Sequence, residues 1–304
     1  MQTFSKSYRL VKIKYSAKNL VITLNSYIKQ LKGELQGLYN EHEASSISEL
    51  FVLEILNISR TKYLIEKDDS IGKTSLHLLE EKKERLLEGE PVKYILNKAW
   101  FFDLEFYVDK SVLIPRQETE ILVNYIIEEA SNIKNPKILD IGTGSGCITI
   151  SVKCNVLDAS VFAVDISKDA LRVAIKNANI HKVDVCFEQY YVLSAKNLPL
   201  DDRFDIIISN PPYVTESEKI QMHKNVLDYE PNLALFVSDD DPLLFYRYII
   251  EKAKYSLKKG GQLWFEINEN FSDQMLKLCS KNGFENNVVI KDLNKKLRFI
   301  KCKR

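Results

Sequence analysis

Glycine is scarce in this chain, with ten in 304 residues, and cysteine is scarcer, with five. Cys147, Cys154, Cys186, Cys279 and Cys302 are scattered, and no pair has metal-ligand spacing. An odd, dispersed set makes no disulfide framework, so a reducing, cytoplasmic setting is the expectation. An excess of either charge is also missing. Lys and Arg number 43 against 42 Asp and Glu, a formal charge of +1, which excludes a chain that coats nucleic acid by its overall charge. No apolar run approaches the roughly 20 residues that cross a bilayer. The N-terminal lysines are not followed by an apolar stretch and a small-residue cleavage site. Core-forming material, by contrast, is plentiful: 45% of the residues are hydrophobic, which excludes wholesale disorder. The length exceeds one typical domain and falls short of three.

Charge and periodicity divide the chain. Residues 1–33 carry seven Lys or Arg and no acid before Glu34. Residues 1–19 read as a basic extension, either solvated or a contact surface for an acidic partner. Leu20, Leu24, Tyr27, Ile28 and Leu31 recur at spacings of three and four, as on one helix face. Leu50, Leu53, Ile55, Leu56 and Ile58 form a second stripe. Ser59 is placed to cap a short helix, and Leu76, Leu79 and Leu86 mark another that ends before Gly89. The expectation is a small helical domain over residues 1–88. Residues 89–112 are rich in aromatic and β-branched side chains and read as a hairpin or linker strands. From 113 to 304, strand and helix alternate. KILDI (137–141), SVFAVD (160–165), FDIIIS (204–209) and QLWFEI (262–267) are apolar without clean alternation, which suits parallel strands buried on both faces. The predicted fold class is α/β: a doubly wound, mostly parallel, Rossmann-like sheet behind a small helical bundle.

Three of the ten glycines fall within five residues, at Gly142, Gly144 and Gly146. Glycine there permits a sharp turn and lets a ligand approach the backbone. The helix that follows offers unpaired N–H groups and the positive end of its dipole. In ILDIGTGSGCI the third glycine arrives one residue too early for the dinucleotide fingerprint. The D-x-G-x-G-x-G spacing instead resembles the loop of S-adenosylmethionine (SAM)-dependent methyltransferases. Asp165 ends the next strand, where a doubly wound fold sets an acid across the crevice from the glycine loop to accept both ribose hydroxyls.

FDIIIS runs directly into Asn210-Pro211-Pro212-Tyr213. The prolines fix φ and lack N–H donors, so their carbonyls stand free as acceptors. Asn210 adds an acceptor and Tyr213 a flat face. This set suits a planar –NH2 group, whose two donors meet two acceptors. An amide or exocyclic amine is a poor nucleophile because its lone pair is delocalised. Accepting both N–H protons returns electron density to nitrogen, and orientation supplies much of the rest. No metal is called for.

The tetrad and the glycine loop together resemble the amino-methyltransferases of adenine, cytosine and glutamine amides. GEPVKYIL (89–96), FFDLEFYVD (101–109), LIPRQETEILV (113–123) and DYEPNLAL (228–235) narrow the resemblance to the bacterial release factor glutamine methyltransferases, the PrmC/HemK family. The resemblance runs from about residue 20 to the C-terminus and implies a class I SAM-dependent methyltransferase domain. It implies methyl transfer from SAM, with S-adenosyl-L-homocysteine as product, to N5 of the glutamine in the Gly-Gly-Gln motif of class-1 peptide chain release factors. Gly142, Thr143, Gly144, Ser145 and Gly146 would line the methionine part of SAM. Asp165 would hold its ribose, Tyr191 would stack on its adenine, and Asn210 would touch both cofactor and substrate. Asn210, Pro211 and Tyr213 would carry catalysis, and with Pro212 would bind the substrate amide. Tyr190 stands where the family has an acid, and Glu188 or a backbone carbonyl would have to replace it. The resemblance further implies a monomer with release factors as partners, and neither a nucleic-acid nor a membrane partner.

Three other readings compete. A nucleic-acid amino-methyltransferase would use the same tetrad, but it must flip a base and neutralise phosphates. Around the tetrad, YVTESEKIQMHKNVLDYEP carries both signs of charge and no basic stripe. A protein that only binds SAM would not need an amine clamp. A nicotinamide oxidoreductase would need a different glycine spacing.

Overall fold

The computed structural model describes residues 21–194, 198 and 203–304. The basic extension expected over 1–19 lies outside the described residues. The chain divides after Lys83 into two compact units.

The first unit is helical. Helix α1 (Leu24–Leu35) opens on a capping box in which Thr23 Oγ1 accepts the Ser26 N–H and Ser26 Oγ accepts the Thr23 N–H. It buries Leu24, Tyr27, Ile28, Leu31 and Leu35, so the predicted stripe continues one further turn. Helix α2 (Glu41–Leu56) is capped by Asn40 and closed by Asn57 in a left-handed conformation. Its buried face is Ala44, Ser48, Phe51, Val52 and Leu53. Of the expected stripe only Leu53 is fully buried; Leu50, Ile55, Leu56 and Ile58 are half-buried on the flank. Ser59 caps α3 (Arg60–Glu66) as expected. Helix α4 (Lys73–Leu87) contributes Lys83, which pairs with Glu34 at 3.4 Å.

In the second unit, α5 (Val92–Leu96) leads into a hairpin of β1 (Ala99–Phe101) and β2 (Leu104–Phe106), with Ala99 opposite Phe106. Its two-residue turn is Phe102-Asp103, with φ of 52° and 58°. That left-handed pair suits strand twist but favours Asn-Gly. Glu120, in helix α6 (Gln117–Ser131), holds the turn by accepting the Phe102 N–H at 3.1 Å. There follow β3 (Lys137–Ile141), α7 (Cys147–Asn155), β4 (Ser160–Asp165), α8 (Lys168–His181), β5 (Cys186–Gln189) and β6 (Phe204–Ser209). Short strands β7 (Val214–Thr215) and β8 (Phe236–Val237) pair in parallel around α9 (Lys224–Tyr229) and α10 (Asn232–Leu235). The chain closes with α11 (Leu244–Ser256), β9 (Leu257–Glu266), α12 (Ser272–Lys281), β10 (Glu285–Lys291) and β11 (Leu297–Lys303).

The main sheet has the order β5-β4-β3-β6-β9-β11-β10. Strands β3, β4, β5, β6 and β9 run parallel, and β11 lies antiparallel between β9 and β10. Adjacent residues of one strand feed opposite cores. Ile207 joins Leu139, Tyr246 and Phe265 on one face, while Ile206 and Ile208 join Ile138, Trp264 and Phe299 on the other. This double burial is why the strands showed no polar alternation. Strand order reverses between β3 and β6, and a crevice opens at the carboxyl ends of the strands at such a point.

Candidate active site

A cavity of about 220 Å³ occupies that crevice. Its wall includes Gly142 and Gly144 after β3, Asp165 after β4, Tyr190 and Tyr191 after β5, and Asn210, Pro211 and Pro212 after β6. Four distant segments of sequence thus meet where the resemblance brought them together.

The glycines divide by role. Gly142 and Gly144 have φ of +82° and +55°, and a Cβ on either would meet nothing within 4 Å. Their faces are bare backbone toward open space. Gly146 has φ +79°, but a Cβ there would come within 3.0 Å of Ile150 Cδ1 and 3.2 Å of Ala174 Cβ. It lets α7 pack close to α8 and is not part of the cavity wall. Thr143 and Ser145 are likewise buried off the cavity. Thr143 Oγ1 lies 2.9 Å from Thr149 Oγ1, and the Ser145 carbonyl accepts from Asn177 Nδ2 at 2.9 Å. Of the five loop residues expected along the methionine part, Gly142 and Gly144 line the cavity, and Thr143, Ser145 and Gly146 do not. Gly142 and Gly144 face the cavity, while Thr143, Ser145 and Gly146 turn inward.

Replacing Gly146 with alanine should destabilise the fold. Overpacking costs about 1–3 kcal/mol and a left-handed Cβ about 1–2 kcal/mol. Thermal unfolding should show a loss of roughly 5–10 °C. An unchanged melting temperature would mean that α7 and α8 are not held by this contact.

Asp140, at the start of the loop, is fully buried, and burial pushes its carboxyl up from 3.8 to about 6. Oδ2 accepts from Thr149 at 2.7 Å, while Oδ1 has no hydrogen-bond partner among the described residues. A carboxyl whose folded value is raised contributes stability that is full below its unfolded value and lost as pH rises through the folded value. Asp140→Asn does not titrate. Its melting temperature relative to the parent should therefore rise between pH 4 and pH 8, by an amount equivalent to about 3 kcal/mol at most. A pH-independent difference would contradict the burial of charge.

Asp165 accepts the Gly144 N–H on Oδ2 and the Ser167 N–H on Oδ1, each at 2.9 Å. These bonds fix the plane of the carboxylate. Burial pushes the carboxyl up, and the backbone N–H groups of Ser167, Gly144 and Ile166 pull it down. The Tyr190 N–H donates to the Asp165 carbonyl at 2.9 Å, tying the β5 exit to the β4 exit. Tyr190 is buried and Tyr191 is half exposed. Glu188, offered as a substitute acid, does not line the cavity.

Asn210 is half-buried and on the cavity wall. Its Nδ2 donates to Thr119 Oγ1 in a long contact of 3.4 Å. Thr119 Oγ1 in turn donates to Glu266 Oε2 at 2.7 Å. Tyr213 does not line this cavity. Its hydroxyl donates to Glu266 Oε1 at 2.9 Å, and its ring packs against the core. The stacking face expected of Tyr213 is thus not presented to the cavity, and the residue anchors the loop after β6. Burial pushes the Glu266 carboxyl up, while the two hydroxyls and Arg298 pull it down.

A second carboxylate fastens the cavity's rim. Glu230 Oε1 accepts from Arg116 Nη2 at 2.7 Å, and Oε2 accepts the Ile114 N–H at 3.1 Å. It binds LIPRQETE to DYEPNLAL, and residues beside both contacts, Leu113 and Pro231, line the cavity. Neither Glu230 nor Glu266 was assigned a role from sequence. For Glu230, the presence of both segments in the resemblance is the available signal.

Comparison with known proteins decides the family. Residues 26–96 match the PrmC N-terminal domain and residues 117–229 the Methyltransferase small domain. The chain is 43% identical over 281 residues to the release factor glutamine methyltransferase of Flavobacterium psychrophilum, covering 91% of this chain and 98% of that one. The Bacteroides thetaiotaomicron protein of the same name is 41% identical, over 92% of this chain and 99% of that one. That of Leptospira interrogans is 34% identical over 83% and 88%. The chain belongs to the release factor glutamine methyltransferase family. It is an enzyme, and SAM is its methyl donor.

The cavity fits that donor. Bare backbone at Gly142 and Gly144 leaves room that any side chain would fill, and Asp165 offers two oriented acceptors for a vicinal diol. Tyr191 adds an aromatic side chain and Val192 an apolar one to the wall. Among the described residues no His, Cys, Asp and Glu group could hold a metal ion, and no helix is long and apolar enough to cross a membrane.

Proposed function

We propose that the enzyme methylates N5 of the glutamine in the Gly-Gly-Gln motif of class-1 peptide chain release factors. The observation that carries the reading is Asn210-Pro211 on the wall of the same cavity as Asp165 and the loop glycines. Bound SAM supplies a methyl carbon made electrophilic by its sulfonium. Asn210 Oδ1 and the free carbonyl of Pro211 accept the two N–H groups of the substrate amide. They hold its plane and raise the electron density on nitrogen. Methyl transfer would form the nitrogen–carbon bond as the carbon–sulfur bond breaks, S-adenosyl-L-homocysteine would leave with the bonding pair on sulfur, and the amide proton would pass to water. Pro211 and Pro212 keep the acceptors rigid, so little reorganisation accompanies the reaction. Asp165 grips the ribose, Gly142 and Gly144 admit the methionine part, and Tyr191 covers the adenine.

The enzyme acts as a monomer on a folded protein partner, without nucleic acid. Unmodified release factor and duplex DNA are offered together with labelled SAM. Label should enter the release factor and should be absent when its motif glutamine is replaced. Label in the DNA, or in a release factor lacking that glutamine, would overturn the reading.

A further inference from the structure

We infer that Thr119 and Glu266 are positioning residues that set which end of the Asn210 amide faces the substrate. The inference rests on the reading that Asn210 accepts from the substrate amide. An asparagine side chain has an oxygen and an –NH2 of nearly equal size, and only the oxygen can receive a substrate N–H. With the amide reversed, donors would face donors. Something must therefore decide the orientation.

The chain of contacts behind Asn210 has a fixed direction. Glu266 lies at the end of β9, buried, with one carboxylate oxygen toward Thr119 and the other toward Tyr213. Thr119 Oγ1 donates to Glu266 Oε2 across 2.7 Å, which commits the hydroxyl proton to that contact. Thr119 then presents only lone pairs to Asn210. The Nδ2 group can approach those lone pairs, and Oδ1 would be repelled by them. The amide is thereby held with Nδ2 on Thr119, and Oδ1 is left for the cavity. Tyr213 donates to the other oxygen of Glu266, so the carboxylate itself is braced from both sides. The Asn210 contact is long, at 3.4 Å, and contacts of this kind tighten once substrate is in place. Three segments far apart in sequence cooperate in this way to orient one carbonyl.

The test uses Thr119→Val, which keeps the shape and removes the hydroxyl, and Thr119→Ser, which keeps the hydroxyl. Single-turnover methylation of release factor should slow roughly 3- to 10-fold in Thr119→Val, the scale of one neutral hydrogen bond. SAM affinity by calorimetry should be unchanged, and Thr119→Ser should recover most of the rate. The deciding measurement places Thr119→Val in an Asn210→Ala background. A residue that acts only through Asn210 has no further effect once Asn210 is gone, whereas a structural residue keeps its effect. Equal fractional losses in both backgrounds would overturn the inference while leaving the Asn210 role intact. Parent-like turnover of Asn210→Ala alone would overturn the underlying reading. Glu266→Gln can donate to Thr119 and reverse the contacts, so it should lose at least as much as Thr119→Val; a parent-like rate would also count against the inference.

Discussion

Asn210→Ala should lower turnover roughly 100- to 1,000-fold, the scale of one preorganised polar contact at a reacting group. SAM affinity should fall far less. The split follows from where the side chain stands. Asp165 and the glycine loop hold the donor from the β3 and β4 ends, whereas Asn210 reaches the cavity from the end of β6. Its oxygen matters most when the amide nitrogen begins to bond to carbon, since the N–H groups then become more acidic. An interaction that strengthens toward the transition state lowers turnover more than binding. The fold should survive the change, because the side chain is half-buried and its contact to Thr119 is long. Rapid-quench methylation together with calorimetric SAM titration separates the two effects. A large loss of SAM affinity with unchanged single-turnover rate would reverse the assignment.

Asp165→Ala should produce the opposite split. A hydrogen bond to a charged group contributes on the order of 1.5–3 kcal/mol, so losing both ribose contacts should weaken SAM by at least about 10- to 150-fold, the range for one such bond. The N–H groups of Gly144 and Ser167 also lose their acceptor, which frees the loop whose shape admits the donor. Asp165→Asn keeps one acceptor oxygen and should fall between the two. Turnover at saturating SAM should stay within about tenfold of the parent, because Asp165 does not touch the reacting nitrogen. Unchanged affinity in Asp165→Ala would mean that the ribose lies elsewhere.

Local patterns in the sequence carried much of this architecture. KILDI, SVFAVD and FDIIIS begin and end where β3, β4 and β6 do. Burial on both faces leaves an uninterrupted apolar run, and the site residues sit at the ends of those runs. β9 begins at Leu257, five residues before the apolar run at Gln262, because Lys258 to Gly261 extend the strand with polar residues. Strands β10 and β11 went unread, since β10 is largely exposed and carries charge and asparagine. The α2 stripe was misplaced because apolar residues flank its true face. Within the site, side chains that alternate along a tight loop could not be sorted by spacing: Thr143, Ser145 and Gly146 turn inward while Gly142 and Gly144 face the cavity. Contacts across the chain were least legible. Thr119 and Glu266 are 147 residues apart, and Ile114 and Glu230 are 116 apart. No periodicity links such residues; only the fold brings the start of α6 to the end of β9, and the segment before α6 to the residue after α9.

The most direct test is to localise the transferred methyl group. A release factor made without its modifying enzyme is incubated with this protein and SAM, digested, and its peptides fragmented by mass spectrometry. A gain of one CH2 confined to the side chain of the Gly-Gly-Gln glutamine, as an N-methyl amide, is the predicted result. A gain on a carboxylate, a lysine or any other side chain, or no gain with active protein, would contradict an amide held between Asn210 and Pro211.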